Sequence, residues 1–550
     1  MSTNPFEDEY LKLMQKIIKE GSVKYNERTG KNCYFYQGDM CQYDLSTGKF
    51  PALTTKKLFM RQMIAELLGF IRAYDNAKDF RDLGCNFWNA NANESEHWLG
   101  NPNRKGEDDL GRIYGVQARN KQTFFAVKPK IFKKPESQTI PLPEFEDVSP
   151  NFNSNLSGFV GKEIHSNKSG KFLIIDEKRT PSSHFLFTIK FEDTGFVKKN
   201  VQKSAIVNGN VRDPYKPSIC GVAAYGQPED KELAKILKKS WRDMIYRCYS
   251  EKRKMNSFWY YDKEIFVDDR WLLFENFVRD FKNIDRWELK LEHPDEYSLD
   301  KDLYCSNKYS VETCVWASKK EQNINTTQAK KFKATSPEGV EYFECGLSNF
   351  CEKHNLNRRS AEMALKNNVD LNGWKFEQYN SENEEYRIRI DDQLAHAIAK
   401  IKHNPSDRRI IVDHWNPNEL HLMALPPCHL TYTFGIRDGH LDMCMYQRSC
   451  DVPLGVPMNI ASYALLLQIV AQITGLKPGV FTHFLWNIHI YEDQMELSKE
   501  QVQREPYEAP TLWINPEISS LHDLETWVTP NDFKLENYQH HPKINFPFSA

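Results

Sequence analysis

The 550-residue sequence predicts an α/β (α+β) protein that is interrupted by a segment of different character. Amphipathic helices and short apolar strands occur over residues 1–119, and the same texture resumes from residue 390. The hydrophobic fraction of 40% and the charged fraction of 27% are ordinary for a soluble globular protein. A chain of this length is expected to form about two to four domains.

The two flanks of the chain, residues 1–119 and 390–550, contain predicted helices and strands. The first flank has an amphipathic helix around 15–18 and helical apolar spacing over 63–71, whereas 110–119 is punctuated by glycine and is expected to be a loop. In the last flank the sequence predicts an amphipathic helix, a strand and a buried helix, in that order: 392–401, 409–412 and 460–470.

The middle of the chain divides into smaller parts. Residues 128–157 are rich in Pro, Ser, Asn and Lys, which is typical of a linker. Residues 121–380 carry 43 Lys+Arg against 37 Asp+Glu, a balance of +6 that is a hint of a different partner for this part. The expected divisions are 1–119, a linker at 120–157, a small β-domain of unknown role at 158–229, an aromatic-rich helical segment at 230–330, a DNA-binding type of repeat at 331–380, and 390–550.

The composition also excludes several classes of protein. No apolar run approaches the roughly 20 residues of a membrane span, and the acidic N-terminus lacks the apolar region of a secretory signal. The 12 cysteines are scattered without a CxxC pair, which indicates a reducing compartment and weakens any zinc hypothesis. We therefore expect a cytoplasmic protein without a metal site, in a bacterial host cell if the chain is encoded by a phage.

The strongest chemical signal is Leu425-Pro426-Pro427-Cys428-His429, followed by Tyr446-Gln447-Arg448-Ser449-Cys450-Asp451. A cysteine near an arginine suggests a thiolate nucleophile beside an anion-binding site, because only the thiolate attacks and nearby cations favour it. Taken alone, Pro-Cys-His would also fit a buried structural cysteine.

Further segments occur in the order found in one enzyme family. They are Glu27–Gly30, Thr54–Lys57, Ala65–Leu68, Asp407–Val412, Leu425–His429, Tyr446–Ser449, Leu454–Tyr463 and His489–Tyr491. Residues 10–119 joined to 390–550 closely resemble thymidylate synthase. The resemblance implies that family's mixed sheet, its obligate homodimer formed through a sheet face, and its reaction, the reductive methylation of dUMP to dTMP by 5,10-methylenetetrahydrofolate.

The resemblance also implies roles for individual residues. The expected catalytic residues are Cys428, Glu66, Arg448, Asn459 and Tyr114. The expected dUMP-binding residues are Arg28, Arg408, Arg409, Gln447, Arg448, Ser449, Asn459, His489 and Tyr491. The expected folate-binding residues are Lys56, Trp88, Asp451 and Gly455.

The residue types suit this chemistry. Pyrimidine C5 is a weak nucleophile until a thiolate adds at C6 and turns the ring into an enolate. Arginine binds phosphate oxygens bidentately. The amide of Asn459 offers both a donor and an acceptor to uracil O4 and N3–H, whereas an aspartate there would suit cytosine.

Some positions depart from the family's common pattern, mostly on the folate side. Gly69 and Ala118 stand where tryptophan is common, and the ending Phe546–Ala550 is unusual. A pocket opened at Gly69 and Ala118 could admit water in place of hydride. Deoxyuridylate hydroxymethylase, which makes 5-hydroxymethyl-dUMP, is therefore the alternative enzyme.

The insert itself suggests nucleic acid. Residues 299–323 resemble the HNH-type nucleases of phage mobile elements, but Lys301 stands roughly where the general-base histidine belongs, so nuclease activity is doubtful. Residues 335–376 resemble the helix-turn-helix repeat of homing endonucleases, in which Asn357, Arg358 and Arg359 would open a recognition helix. A homing or DNA-binding protein nested in a synthase gene is thus a further alternative. The junctions lack the residues that intein splicing needs, so we expect one unspliced chain of 64.5 kDa.

Overall fold

The computed structural model describes residues 4–548 except 28, 183, 252–263, 326–330, 338, 340, 346, 348–349, 352–353, 355, 368 and 379–384. The chain forms two compact units. Unit 1 contains residues 1–124, 332–378 and 388–550, and unit 2 contains residues 125–331 and 379–387.

Unit 1 begins with a helix that is followed by a short strand and a long strand. α1 starts after Asn4, whose side-chain oxygen accepts a hydrogen bond from the backbone N–H of Glu7, with Pro5 in the first turn. The elements of this first segment are α1 (Pro5–Glu20), β1 (Ser22–Asn26), β2 (Lys31–Asp44), α2 (Met60–Ile71), α3 (Ala77–Leu83), α4 (Asn89–Asn93), α5 (Glu96–Leu99), α6 (Tyr114–Asn120) and β3 (Lys121–Val127).

Helix α6 corrects one expectation, because a loop was predicted over residues 110–119. A Cβ atom at Gly115 would lie 2.3 Å from the backbone oxygen of Phe70. The glycine that suggests a loop in the sequence therefore lets α6 pack directly on the backbone of α2.

Unit 2 has an antiparallel four-stranded sheet of order β4-β5-β6-β7, followed by a helical part whose core is built on Trp241, Trp271 and Trp316. Its elements are β4 (Glu163–Ser166), β5 (Gly170–Arg179), β6 (Phe185–Phe191), β7 (Val197–Gln202), α7 (Lys203–Val207), α8 (Lys231–Tyr249), β8 (Phe266–Val267), α9 (Phe274–Asp280), α10 (Trp287–Glu292), β9 (Tyr297–Asp300), β10 (Lys308–Tyr309), β11 (Val315–Ser318) and α11 (Lys319–Ile324). The strands and aromatic helices expected in 158–330 are thus present.

The chain then returns to unit 1. Its remaining elements are β12 (Lys331–Thr335), β13 (Glu341–Cys345), α12 (Arg358–Asn367), β14 (Lys375–Gln378), β15 (Glu385–Asp391), α13 (Gln393–His403), β16 (Ile411–Asp413), β17 (His429–Arg437), β18 (His440–Asp451), α14 (Gly455–Thr474), β19 (Lys477–Tyr491), α15 (Met495–Gln501), β20 (Thr511–Ile514), α16 (Leu521–Thr526) and β21 (Phe533–Glu536).

A six-stranded sheet forms the centre of unit 1. Its order is β1-β2-β19-β18-β17-β16, with β18 and β19 parallel and all other neighbours antiparallel. This agrees with the mixed sheet that the resemblance implied. Helix α14 packs on β18 and β19 and is buried around most of its circumference.

Helix α14 is, among the described residues, one helix long and apolar enough to cross a bilayer. Of the stretch of α14 that meets this criterion, 72% is buried inside the protein. A helix that is apolar all round and mostly buried is what the core of unit 1 requires.

The segment 332–378 was expected to belong to the insert, but it groups with unit 1. Its small core around Phe332 and Phe350 packs against Leu422, and the Tyr342 hydroxyl donates to the side-chain oxygen of Asn103. These contacts join it to the part of the chain that carries the mixed sheet.

Candidate active site

Cys428 lies where a loop enters β17. Its backbone N–H donates to the Tyr114 hydroxyl at 2.7 Å, and its carbonyl accepts from the backbone N–H of Arg448 at 2.8 Å. The pairing register of β17 with β18 shifts immediately afterwards, between His429 and Thr431. Helix α6 and strand β18 thus hold Cys428 from two sides, while its side chain stays half-buried.

Arg448 fastens the two prolines that precede this cysteine. Its Nε donates to the Pro427 carbonyl at 2.8 Å and its Nη2 to the Pro426 carbonyl at 3.0 Å. The guanidinium lies 5.6 Å from the centre of the Trp415 ring, a cation–π contact. The predicted cation therefore lies against the loop that carries Cys428.

A hydrogen-bonded row of side chains runs beside the cysteine. Gln447 Nε2 donates to Asn459 Oδ1 at 3.0 Å, and Asn459 Nδ2 lies 3.0 Å from His429 Nε2. His429 Nδ1 lies 3.1 Å from the Tyr463 hydroxyl. Burial lowers the pKa of His429 well below its usual value, so the imidazole is neutral.

Glu66, which lies in α2, and Trp88 form a hydrogen-bonded pair. The Trp88 indole N–H donates to Glu66 Oε1 at 3.0 Å. Burial raises the pKa of Glu66 to about 7, and the indole hydrogen bond opposes that rise. A carboxyl that titrates near neutrality can exchange protons at physiological pH.

Lys56, Asp451 and Gly455 lie together where β18 leads into α14. The Lys56 ammonium donates to the Pro453 carbonyl, and it lies 4.8 Å from the Phe546 ring centre. Burial lowers the pKa of Lys56 to about 8 and raises that of Asp451. Three of the four residues expected to bind folate, Lys56, Asp451 and Gly455, are thus brought together.

His489 and Tyr491 lie near the end of β19, and Asp451 of β18 is paired with His489 in the sheet register. Their rings are 5.3 Å apart, and His489 Nδ1 lies 3.0 Å from Asn487 Oδ1. The register thus brings this predicted pair next to the predicted folate contact.

Two predicted phosphate ligands, Arg408 and Arg409, lie elsewhere. Arg28 is outside the described residues. Arg408 and Arg409 are exposed, and Arg409 Nε lies 2.9 Å from Asp407 Oδ1. Within the part of the chain that the structure describes, no group of three His, Cys, Asp or Glu could hold a metal ion.

The expectation of an opened pocket at Gly69 and Ala118 is wrong. A Cβ atom at Gly69 would lie 2.3 Å from Cε1 of Phe80, so that ring already fills the space. Ala118 is 5% exposed and belongs to the main core of unit 1. Both positions are buried.

Sequence reasoning gave no role to Tyr463 or Trp415. Tyr463 follows Asn459 by four residues in α14, so both side chains lie on one helical face. That spacing was a usable signal. The contact between Trp415 and Arg448 had no signal in the sequence.

Comparison with known proteins identifies relatives of this chain. The family model described as Thymidylate synthase matches residues 8–141 and 303–550, more than half of the chain. The interruption of this match supports an insertion. Proteins named thymidylate synthase from Shewanella loihica, Shewanella halifaxensis and Vibrio parahaemolyticus are each 26% identical over 543 residues, covering 98% of this chain and 99% of the relative.

Proposed function

The chain belongs to the thymidylate synthase family, enzymes of the methyltransferase class, and from that premise we propose that it converts dUMP to dTMP with 5,10-methylenetetrahydrofolate. The observation that carries this proposal is the convergence of Cys428, Arg448 and Asn459 on one half-buried place in unit 1. These residues supply a nucleophile, a cation and a base-recognising amide.

Cys428 adds as thiolate to C6 of the uracil ring. A C–S bond forms, the electron pair of the C5–C6 double bond moves to the O4 side, and C5 becomes the nucleophile. The folate supplies the one-carbon unit and the hydride, and leaves as dihydrofolate. Glu66 handles protons at the ring through water, with the Trp88 N–H holding its carboxyl in place. Release of the C5 proton and of the thiolate restores the aromatic base.

Recognition of the base falls to Asn459. Its Oδ1 can accept from uracil N3–H, and its Nδ2 can donate to O4. His489 and Tyr491 would bind the 3′-hydroxyl of the sugar. Lys56, Trp88, Asp451 and Gly455 would hold the folate.

The phosphate would be bound by Arg28, Arg448 and Ser449, together with Arg408 and Arg409 from a second copy of the chain. The exposed position of Arg408 and Arg409 supports a role in reaching another chain.

A row of exposed apolar side chains across the central sheet supports the homodimer. Met40, Phe484 and Tyr446 are direct neighbours in the register and are 44%, 41% and 36% exposed. An apolar row of this kind favours burial against another sheet. Sedimentation should give twice the chain mass of 64.5 kDa, and Phe484→Glu should give the monomer.

Product analysis tests the reaction. Purified protein with dUMP and methylenetetrahydrofolate should yield dTMP and dihydrofolate. The packed surroundings of Gly69 weigh against the hydroxymethylase, which would instead yield 5-hydroxymethyl-dUMP and tetrahydrofolate. Absence of any folate-dependent turnover would overturn the proposal.

DNA binding is a second candidate function, favoured by the start of α12. Asn357 Oδ1 accepts from the backbone N–H of Ser360 at 3.1 Å, so it caps the helix. Arg358 and Arg359 follow at the exposed first turn. In a gel shift, Arg358→Ala with Arg359→Ala should weaken duplex DNA binding by the full chain and reduce its salt dependence. Unchanged binding would remove this candidate.

A further inference from the structure

His483 is a buried histidine of β19. Among the described residues, only one of its two ring nitrogens has a hydrogen-bond partner. Its Nε2 lies 2.9 Å from Gln447 Oε1, whereas its Nδ1 has no hydrogen-bond partner among the described residues. The side chain is 0% exposed, and burial lowers its pKa to about 3. The ring is therefore neutral at physiological pH.

A backbone carbonyl fixes the direction of the hydrogen bonds around Gln447. Gln447 Nε2 lies 2.9 Å from the Ser449 carbonyl oxygen, which can only accept. The amide nitrogen of Gln447 must therefore face Ser449, and its oxygen must face His483. It follows that His483 carries its proton on Nε2 and donates it.

The same direction passes on to Asn459. The second N–H of the Gln447 amide donates to Asn459 Oδ1 at 3.0 Å, so Asn459 Nδ2 must face His429 Nε2, also at 3.0 Å. His429 Nε2 then accepts, and its Nδ1–H donates to the Tyr463 hydroxyl at 3.1 Å. Within the described part of the chain, Asn459 keeps one N–H and one oxygen lone pair for a ligand.

This orientation matters because an asparagine amide alone does not select uracil. Turned over, it would present N–H to the unprotonated N3 of cytosine and oxygen to the cytosine amino group. Selectivity requires that the amide cannot turn. An amide whose neighbours all have fixed donor and acceptor roles is held in one orientation.

We propose that His483, acting through Gln447, is a positioning residue that holds the Asn459 amide in the uracil-selecting orientation. This rests on the proposed dUMP activity. His483 supplies the donor without which the Gln447 oxygen would be buried and unsatisfied. A Gln447 that rotated to find another donor would release Asn459.

Two substitutions test the proposal by the ratio of kcat/KM for dUMP over dCMP. Gln447→Glu keeps the shape but can only accept, so Asn459 must turn over to donate to it. The ratio should fall by about tenfold or more. His483→Phe removes the donor and should lower the ratio by a smaller factor. Ile401→Val, a buried change in α13 of the same unit, is the control and should keep the ratio.

A merely structural role for His483 would lower both kcat/KM values together and leave the ratio unchanged, which would overturn the proposal. A second measurement needs no variant and no turnover. In ¹⁵N-histidine NMR of the full chain, His483 should show the Nε2–H tautomer and no titration between about pH 5 and pH 8. The Nδ1–H tautomer of His483 would overturn the proposal. Absence of dUMP turnover by the unmodified chain would instead overturn the proposed function.

Discussion

Both units bury polar side chains, but the two units use them differently. In unit 2, Arg286 and Glu321 pair at 2.6 Å with side chains that are 2% and 0% exposed. Asn307 uses its amide on both the N–H and the carbonyl of Phe132, each at 2.9 Å. In unit 1, the bonded row that runs from Gln447 to Tyr463 passes through Asn459, which stays half-buried.

This difference between the units shows that burial of polar groups does not by itself mark a functional site. A polar side chain whose partners are all protein groups stabilises the fold. A row in which one member keeps accessible donors and acceptors can bind a ligand. Lys301, which stands roughly where an HNH histidine would be expected, is of the first kind, since it is 2% exposed and pairs with Asp302. Asn307 of the same segment is of this kind too.

The largest expected effect is the loss of turnover in Cys428→Ser. A hydroxyl replaces the sulfur that the proposed mechanism uses for attack, so the rate of dTMP formation should fall by about four orders of magnitude or more. The melting temperature should not change. Cys220→Ser, at a half-buried cysteine of unit 2, is the matched control and should keep full activity. Equal losses of turnover in both variants would show that Cys428 has no special role in the reaction.

Glu321→Gln tests the closed pair of unit 2. It leaves Arg286 charged and buried without its carboxylate, which should cost about 3–5 kcal/mol of stability. Hydrogen exchange should rise in peptides of unit 2, while dTMP formation by the folded protein stays the same. Replacing both partners by Met should recover most of the stability. A parallel fall in turnover would show that the two units are not functionally separate.

Trp88→Phe should shift the pH profile of dTMP formation. The indole hydrogen bond favours the Glu66 carboxylate, so removing it should raise the pKa of Glu66 above its present value of about 7. The acidic limb of the profile then moves to higher pH, and kcat at pH 7 falls by about fivefold if the carboxylate is the active form. Trp98→Phe, at a buried indole that donates to the Asp109 carbonyl, should leave the limb in place.

The smallest expected effect concerns Lys56 and the folate. Because burial lowers the pKa of Lys56 to about 8, its positive charge is present below that pH and is lost as the pH rises through it. The KM for methylenetetrahydrofolate should therefore rise several-fold above about pH 8, without change in the KM for dUMP. Lys56→Arg should flatten this dependence. A flat profile in the unmodified enzyme would contradict the role of Lys56.

Much of the fold could be predicted because periodicity encodes it. Helices α1, α2, α13 and α14 follow from apolar spacing alone. Helix α6 could not be predicted, since Gly115 looks like a breaker until the backbone of Phe70 is known to lie against it. The grouping of 332–378 with unit 1 depends on contacts such as Tyr342 with Asn103, which local sequence does not encode.

The candidate site was predictable to a similar degree. Cys428 and Arg448 stand out by residue type, the resemblance adds Asn459, and the structure brings the three together. The filling of the space at Gly69 by Phe80 was not predictable, because a missing side chain in the sequence does not tell which neighbour replaces it. The direction of hydrogen bonds through Gln447 likewise requires coordinates.

Covalent trapping of the nucleotide tests directly whether Cys428 is the nucleophile that attacks dUMP. With a dUMP that carries fluorine at C5, the proton whose loss completes the reaction is missing, so the thiolate adduct should persist together with the folate. Mass spectrometry of the digested full chain should find nucleotide plus folate on the peptide that contains Cys428. Folded protein without any adduct, or an adduct on another cysteine such as Cys220 or Cys444, would contradict the account.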